Sequence, residues 1–163
     1  ESLGLTSLNG LRVAIVGDIK HSRVARSNVA AFTLLGARVT LVAPPTLLPP
    51  NTATWPVNVA HSLDEVVKST DVLYMLRLQS ERMDQGLIPH LGEYSTRFGL
   101  TEARAQNLQS SSVVMHPGPM NRGVEISSEV ADGAQSLIRE QVEMGVAVRM
   151  AVLEALATHL PNA

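Results

Sequence analysis

Two arginines follow apolar segments of this chain at points where a ligand could reach them. Arg23 comes shortly after the run Arg12–Val16, and Arg77 directly follows the run Val72–Leu76. A guanidinium binds a carboxylate or a phosphate through two parallel hydrogen bonds. Two such arginines brought close together would suit a small dicarboxylate. The residues alone leave open the alternative that each arginine is a solvated surface charge or half of a salt bridge.

A proline-rich turn follows a third apolar run. Val113–Met115 is followed by His116, Pro117, Gly118 and Pro119. The two prolines stop a strand abruptly and restrict the backbone of the turn. His116 ends a predicted buried strand, so it is either a functional residue or a buried histidine held by hydrogen bonds.

Other kinds of site have little support in the sequence. The chain has no cysteine, which excludes disulfides, iron–sulfur clusters, thiolate zinc sites and cysteine nucleophiles. The remaining histidines lack metal-ligand spacing with carboxylates, so we expect no metal site. They are His21, His61, His90 and His159. The segment 17–22 reads Gly-Asp-Ile-Lys-His-Ser and lacks the glycine pattern of dinucleotide sites, and no Gly-Lys-Ser/Thr phosphate loop occurs.

The composition is that of one folded domain. The 163 residues are 45% hydrophobic and 17% charged, with a formal net charge of −2, which fits a globular chain. This small charge and the 3% of aromatic residues predict neither nucleic acid nor a membrane as a partner. No apolar run approaches the ~20 residues that a membrane-spanning helix needs. The chain starts at Glu1 with neither a signal-peptide pattern nor an initiator Met, and we expect it to be part of a longer protein.

The elements that must position these residues alternate between strand and helix. Apolar, β-branched runs predict strands over 12–16, 39–43, 72–76 and 113–115. A first helix is predicted from the N-cap Ser22 to Gly36. Further helices are predicted from a capping box at Ser62–Glu65 to about Thr70, from Thr101 to about Leu108, and over 135–158.

This alternation predicts an open, mostly parallel, Rossmann-like α/β sheet with helices on both faces. Ligands of such sheets bind outside the carboxyl ends of the strands. The two arginines and the proline-rich turn all follow strands, so we expect them to meet at one edge of the sheet.

The last predicted helix is apolar on more than one face. Val146, Met150 and Leu153 fall on one side. Val148, Val152 and Leu156 fall on another. A helix of this kind is normally buried on more than one side, and a single α/β domain covers only one. We therefore predict a contiguous exposed apolar patch along this helix, with a tendency to self-associate.

Three segments together resemble the motifs of a known family. The segments Gly17–Ser27, Tyr74–Arg82 and His116–Ile126 are similar, in order and spacing, to three motifs of aspartate carbamoyltransferase catalytic chains. The resemblance is to the C-terminal, aspartate-binding half, and it covers nearly all of residues 1–163, which we interpret as that one domain. The His-Pro-Gly-Pro form resembles the bacterial subtype that often partners dihydroorotase.

The resemblance implies the first committed step of pyrimidine synthesis. L-Aspartate would attack carbamoyl phosphate to give N-carbamoyl-L-aspartate and phosphate, without a cofactor. It also implies a cytoplasmic homotrimer in the complete enzyme. The N-terminal domain of the family carries a Ser-Thr-Arg-Thr phosphate-binding motif, which this chain lacks. The resemblance therefore predicts half an active site that is insufficient for catalysis alone.

The resemblance also assigns roles to individual residues. Arg23 would hold the α-carboxylate of aspartate, and Arg77 would hold the β-carboxylate with help from Gln79. Carbamoyl phosphate would meet the backbone carbonyls of Pro117, Gly118 and Pro119, with a cis bond before Pro119. Lys20 and His116 are candidate supporting residues.

Two other interpretations remain at this point. An ornithine-type transcarbamylase would be the nearest, but it typically carries a His-Cys-Leu-Pro turn, and this chain has no cysteine. The other is a non-catalytic, Rossmann-like binding module, suggested by the missing N-terminal half. A carbamoylation assay with and without a separately supplied N-terminal domain would distinguish them.

Overall fold

A five-stranded, wholly parallel sheet forms the centre of the molecule. The computed structural model describes residues 6–79 and 91–158. The strands are β1 (Arg12–Val16), β2 (Arg38–Val42), β3 (Asn58–Ala60), β4 (Val72–Met75) and β5 (Val113–Met115), in the order β3-β2-β1-β4-β5. The α-helices are α1 (Arg23–Leu34), α2 (Leu91–Phe98), α3 (Glu102–Ala105), α4 (Ser128–Ala131) and α5 (Ile138–Thr158). The predicted α/β class is confirmed.

The strand order reverses at β1, and this places the candidate site. The connection from β1 through α1 leads to β2 on one side, whereas β4 pairs on the other side of β1. Because right-handed crossovers in opposite directions lie on opposite faces, α1 and the α2–α3 connection cover different faces of the sheet. A crevice forms at such a reversal, outside the carboxyl ends of the strands.

The first helix forms as its sequence predicts. The Ser22 hydroxyl oxygen accepts the Ala25 N–H at 3.1 Å, which caps the helix N-terminus. At the other end Gly36 has φ +83° directly after the C-cap, a conformation that favours glycine. The buried side chains Ala25 and Val29 pack α1 on the sheet, so this helix is held at both ends and along one face.

Several predicted boundaries are wrong. The capping box at Ser62 is not formed as expected, because the Ser62 hydroxyl accepts from the Asp64 amide. The segment contains two short 3-10 turns, Leu63–Glu65 and Val67–Ser69, in place of an α-helix. The second strand occupies Arg38–Val42 instead of 39–43. The end of the second motif, from residue 80 onward, lies outside the described residues.

The last helix, α5, packs on the domain only at its start. It begins at Ile138 instead of 135, because residues before it extend the sheet: the Val114 N–H donates to the Gln135 carbonyl and the Leu137 N–H donates to the Val114 carbonyl. Ile138 is buried, but the large apolar side chains beyond it are more than half exposed. These are Val142, Met144, Val146, Val148, Met150, Val152, Leu153 and Leu156. The predicted exposed apolar surface of this helix is confirmed.

The described helices do not meet the requirements for crossing a lipid bilayer. None of those within residues 6–79 and 91–158 is both long enough and apolar enough to cross one.

Candidate functional site

The predicted binding residues lie together around one cleft at the carboxyl edge of the sheet. The cleft has a volume of about 340 Å³. Its lining comes from the ends of β1, β4 and β5 and consists of Ser22, Arg23, Val24, Leu76, Arg77, Gln79, Pro117, Gly118 and Pro119. The parallel sheet brings these residues together, because the carboxyl ends of its strands lie at the same edge. All six predicted substrate-binding residues are in this set.

Arg23 and Arg77 reach the cleft from two different elements. Arg23 is the first residue of α1 and its side chain is exposed, whereas Arg77 follows β4 and is partly buried. Within the described residues, Arg23 takes part in no ion pair. A guanidinium at the start of a helix adds to the positive potential of the helix N-terminus. This edge of the sheet is therefore suited to an anion with two acidic groups.

A buried carboxylate holds the loop after β1 against the segment after β4. Asp18 is fully buried. Its Oδ1 accepts the His21 N–H at 3.1 Å and lies 2.9 Å from His21 Nδ1. Its Oδ2 accepts the Gln79 N–H at 3.4 Å. Asp18 thereby links the loop that carries Arg23 to the segment that carries Gln79. The sequence analysis included Asp18 within a motif but gave it no role.

The close approach of these two segments requires a glycine. Gly17 has φ +128°, and a Cβ added there would lie 2.7 Å from the Leu76 carbonyl oxygen. A side chain at this position would push β4 away from the end of β1. An acidic residue directly after such a glycine, at the end of a buried strand, was the available signal for Asp18.

The turn after β5 is built as predicted. The Gly118–Pro119 peptide bond is cis, which confirms that prediction. Gly118 has φ +65°, and its N–H donates to His116 Nδ1 at 2.9 Å. His116 is fully buried and lies behind the turn, outside the cleft lining. Its backbone N–H donates to the Gln141 side-chain oxygen at 3.2 Å, and the Gln141 amide donates to the Tyr74 hydroxyl.

The second candidate supporting residue, Lys20, has a different placement. Lys20 is not among the cleft-lining residues. Its backbone N–H donates to the Leu47 carbonyl at 2.8 Å. This contact ties the loop after β1 to the irregular segment after β2, and it is a contact of the backbone and not of the ammonium group.

A second buried carboxylate, Glu125, lies behind the proline turn. Its Oε1 accepts the Asn121 N–H at 2.5 Å and lies 3.3 Å from His116 Nε2. The Asn121 side-chain amide in turn donates to the Leu78 carbonyl at 3.3 Å. Sequence reasoning included Glu125 within a motif but gave it no role.

The hydroxyl of Tyr94 lies in the field of both buried carboxylates. Burial raises the pKa of Tyr94 far above its ordinary value, and the charges of Glu125 and Asp18 add to the rise. The hydroxyl has no hydrogen-bond partner within the described residues, so Tyr94 is a neutral phenol at every physiological pH.

The described residues contain no candidate metal centre. Across 6–79 and 91–158 no group of three or more His, Asp or Glu side chains converges as ligands would. The chemistry visible at the cleft is that of guanidinium, amide and backbone groups.

Comparison with known proteins places this geometry in a family. The sequence model described as aspartate/ornithine carbamoyltransferase, Asp/Orn binding domain, matches residues 9–156. The aspartate carbamoyltransferase catalytic subunit of Nitrobacter hamburgensis is 60% identical, over 96% of this chain and 49% of the relative. That of Thermobifida fusca is 58% identical, over 99% of this chain and 52% of the relative.

The fold comparison agrees with these sequence matches. The crystal structure of Trypanosoma cruzi aspartate transcarbamoylase in complex with carbamoyl aspartate and phosphate gives a TM-score of 0.79 at 30% identity. The match covers 91% of this chain and 50% of that one. The chain spans about half the length of the curated relatives it matches.

Proposed function

This chain belongs to the aspartate/ornithine carbamoyltransferase family, and from that premise we propose that it is the aspartate-binding half of an aspartate carbamoyltransferase. The α-amino group of L-aspartate attacks the carbonyl carbon of carbamoyl phosphate. A C–N bond forms, the C–O bond to phosphate breaks, and the amine gives up one proton to the departing phosphate, so that N-carbamoyl-L-aspartate and hydrogen phosphate leave. The observation that carries the proposal is the single cleft around which two arginines, a glutamine and the proline turn lie together.

The aspartate dianion is held from two sides. Arg23 binds the α-carboxylate and Arg77 binds the β-carboxylate, each through the two parallel hydrogen bonds that a guanidinium offers. The Gln79 amide assists Arg77. Fixing both carboxylates leaves the amino group as the free end of the molecule, and this orients it for attack.

The carbamoyl group is held by the turn after β5. Backbone carbonyls of Pro117, Gly118 and Pro119 accept hydrogen bonds from its amino group. These carbonyls fix the plane of the reacting carbon relative to the arriving amine. Catalysis then rests on positioning and on charges arranged in advance, which together supply much of an enzyme's rate enhancement.

The rest of the site comes from the half that the relatives have and this chain does not span. The exposed apolar surface of α5, with more than half of each large apolar side chain from Val142 to Leu156 uncovered, is the face on which that domain packs. A groove of about 560 Å³ runs between α5 and the cleft, and Val24 and Pro117 line both. Homotrimer formation, association with dihydroorotase and a cytoplasmic location are part of the same proposal.

A two-part carbamoylation assay tests the proposed activity. This chain is incubated with carbamoyl phosphate and L-aspartate, alone and with a separately produced N-terminal half of a relative, and product is measured by mass spectrometry. We expect N-carbamoyl-L-aspartate only when both halves are present. L-Ornithine replaces aspartate in a parallel reaction. Carbamoylation of ornithine would favour the ornithine-type enzyme, and no product from either acceptor would favour a non-catalytic module.

Light scattering tests the role assigned to α5. The chain alone should self-associate as its concentration rises, and the N-terminal half should suppress this by covering the helix. Val146→Lys with Met150→Lys should reduce association, because both changes put charge on the uncovered face. A strictly monomeric chain at high concentration would contradict the assignment.

A further inference from the structure

Glu125 is a buried acid outside the cleft that the proposed reaction does not use. Neither Glu125 nor His116 exposes its side chain to solvent. An acid without solvent is costly unless hydrogen bonds and nearby charge satisfy it. Here the Asn121 N–H donates to Oε1 at 2.5 Å, and His116 Nε2 lies 3.3 Å from the same oxygen.

The contacts of His116 determine where its proton lies. The Gly118 N–H donates to Nδ1 at 2.9 Å, so Nδ1 is an acceptor and carries no proton. The proton of the neutral ring is therefore on Nε2, which faces Glu125. His116 thus lies between the proline turn and the carboxylate. Its Nδ1 accepts the Gly118 N–H of the turn, and its Nε2 faces Glu125.

The pair of buried side chains is incompletely hydrogen-bonded. At 3.3 Å the contact between His116 Nε2 and Glu125 Oε1 lacks the alignment of a full hydrogen bond, and Glu125 Oε2 has no partner within the described residues. Buried polar atoms without hydrogen-bond partners lower the stability of the folded state. Such groups call for an explanation when they occur beside a candidate site.

A second connection, made of hydrogen bonds through Asn121, joins Glu125 to the segment that carries Arg77 and Gln79. Asn121, whose N–H Glu125 accepts, donates its side-chain amide to the Leu78 carbonyl at 3.3 Å. Leu78 stands between Arg77 and Gln79 in the chain, and its side chain is buried. The backbone that directs those two cleft residues is therefore connected to Glu125.

We propose that Glu125 is a positioning residue that fixes the proline turn and the segment Arg77–Gln79 relative to each other. Through His116 it orients the Gly118 N–H and with it the peptide planes of the proline turn. Through Asn121 it fixes the Leu78 carbonyl and with it the direction of Arg77 and Gln79. The catalytic consequence rests on the proposed function, whereas the structural connection belongs to this chain alone.

Nuclear magnetic resonance of this chain tests the connection without reference to activity. Nitrogen shifts of His116 should show the Nε2–H tautomer. Glu125→Gln, which keeps the volume and removes the charge, should shift the amide resonances of both Gly118 and Gln79. The matched control Glu129→Gln, at an exposed glutamate of α4, should shift neither. A Nδ1–H tautomer, or unmoved Gly118 and Gln79 amides in Glu125→Gln, would overturn the proposal.

A second variant distinguishes the connection through Asn121 from the connection through His116. It also provides a test if Glu125→Gln does not fold. Asn121→Ala keeps the backbone N–H that donates to Glu125 but removes the amide that reaches Leu78. It should shift the Gln79 amide and leave the Gly118 amide in place. A shift confined to Gly118 would contradict the arrangement.

The kinetic test uses this chain completed with the N-terminal half. Glu125→Gln should lower kcat by roughly 10- to 100-fold, as a small misplacement of reacting groups does, with less than about a 3-fold change in the KM for aspartate. His116→Asn, which keeps an acceptor near the Nδ1 position, should retain more activity than His116→Gln. An unchanged kcat or the reverse order of the histidine variants would refute the positioning role. If the unmodified pair of halves makes no product, the proposed function fails while the resonance experiments still decide the role of Glu125.

Discussion

Arginines and carboxylates are arranged differently at the two edges of the sheet. At the amino edge, the Arg12 guanidinium is bidentate to Asp71, with Nε 2.9 Å from Oδ2 and the terminal nitrogen 2.5 Å from Oδ1, and the Arg12 N–H donates to Oδ2. At the carboxyl edge, the buried carboxylates Asp18 and Glu125 accept backbone N–H groups. Arg23 there has no ion pair within the described residues.

The comparison distinguishes an arginine paired within the fold, Arg12, from an arginine that lines the candidate site, Arg23. The Arg12 hydrogen bonds hold the pKa of Asp71 below its usual range, which is the signature of a charge pair neutralised within the fold. At the carboxyl edge the buried acids accept backbone N–H groups, and Arg23 and Arg77 line the cleft. Composition alone would not separate the two edges, since both carry arginine and aspartate.

The largest expected difference between the edges is steric and concerns the two ends of β1. Gly17→Ala should lower the free energy of unfolding by about 3 kcal/mol, because the new Cβ would lie 2.7 Å from the Leu76 carbonyl oxygen at φ +128°. Gly10→Ala, at φ +78° with no atom within 4 Å of the new Cβ, should lose only about 1 kcal/mol. Urea unfolding measures both. Equal losses would mean that the carboxyl end of β1 has room to relax.

The next largest effect concerns ligand binding. Arg77→Ala should weaken aspartate binding to the completed enzyme by about 2–3 kcal/mol, roughly 30- to 150-fold, because a charge-assisted bidentate contact is lost. Arg77→Lys should also bind poorly, since lysine lacks the planar fork. Arg38→Ala, at the exposed start of β2, is the control and should bind normally. Unchanged aspartate dependence in both Arg77 variants would remove this residue from the site.

A smaller effect at the amino edge depends on pH. Asp71→Asn should lower the free energy of unfolding at pH 7 by about 1 kcal/mol, because the bidentate pair with Arg12 is weakened. The folded-state pKa of Asp71 is depressed, so its contribution is complete above the unfolded value near 3.9 and is lost as the pH falls through the folded value. The stabilities of the two proteins should therefore converge below about pH 4. Unfolding curves between pH 7 and pH 2.5 measure this, and a constant difference over that range would contradict the assignment.

The smallest effect is expected at Tyr94, a buried residue of α2. Tyr94→Phe removes a buried hydroxyl that has no partner within the described residues, so stability should change by less than about 0.5 kcal/mol. A loss well above this in thermal unfolding would reveal an interaction of the hydroxyl with the two acids near it.

The sequence predicted those parts of the molecule that depend on local pattern. β1 and β5 have the predicted bounds and α1 has the predicted cap, because short apolar runs and a Ser N-cap are local signals. β3 was missed, since its three residues, two of them exposed, are too few to show a period. The cleft-lining residues were found because parallel strands bring their carboxyl ends to one edge.

The buried acids could not be identified in the same way. The Asp18 contact with Gln79 joins residues 61 positions apart, and the burial of Glu125 depends on how the turn folds over it. Sequence alone predicts that a carboxylate in a loop is exposed to solvent, because its tertiary partners are not visible there. The roles of Arg23, Arg77, Gln79 and the proline turn in binding remain predictions that the assays above address.

The position of β1 in the sheet has a consequence for synthesis. β1 is the central strand, yet it precedes both of its neighbours in the chain, with Val16 paired to Val42 on one side and to Met75 on the other. A growing chain therefore exposes this apolar strand until the residues through Met75 have left the ribosome. Pairing between distant segments is slow, and unpaired strand edges aggregate in the meantime. The strand order thus makes the synthesis of residues 17–75 the interval in which the edges of β1 stay unpaired and open to aggregation.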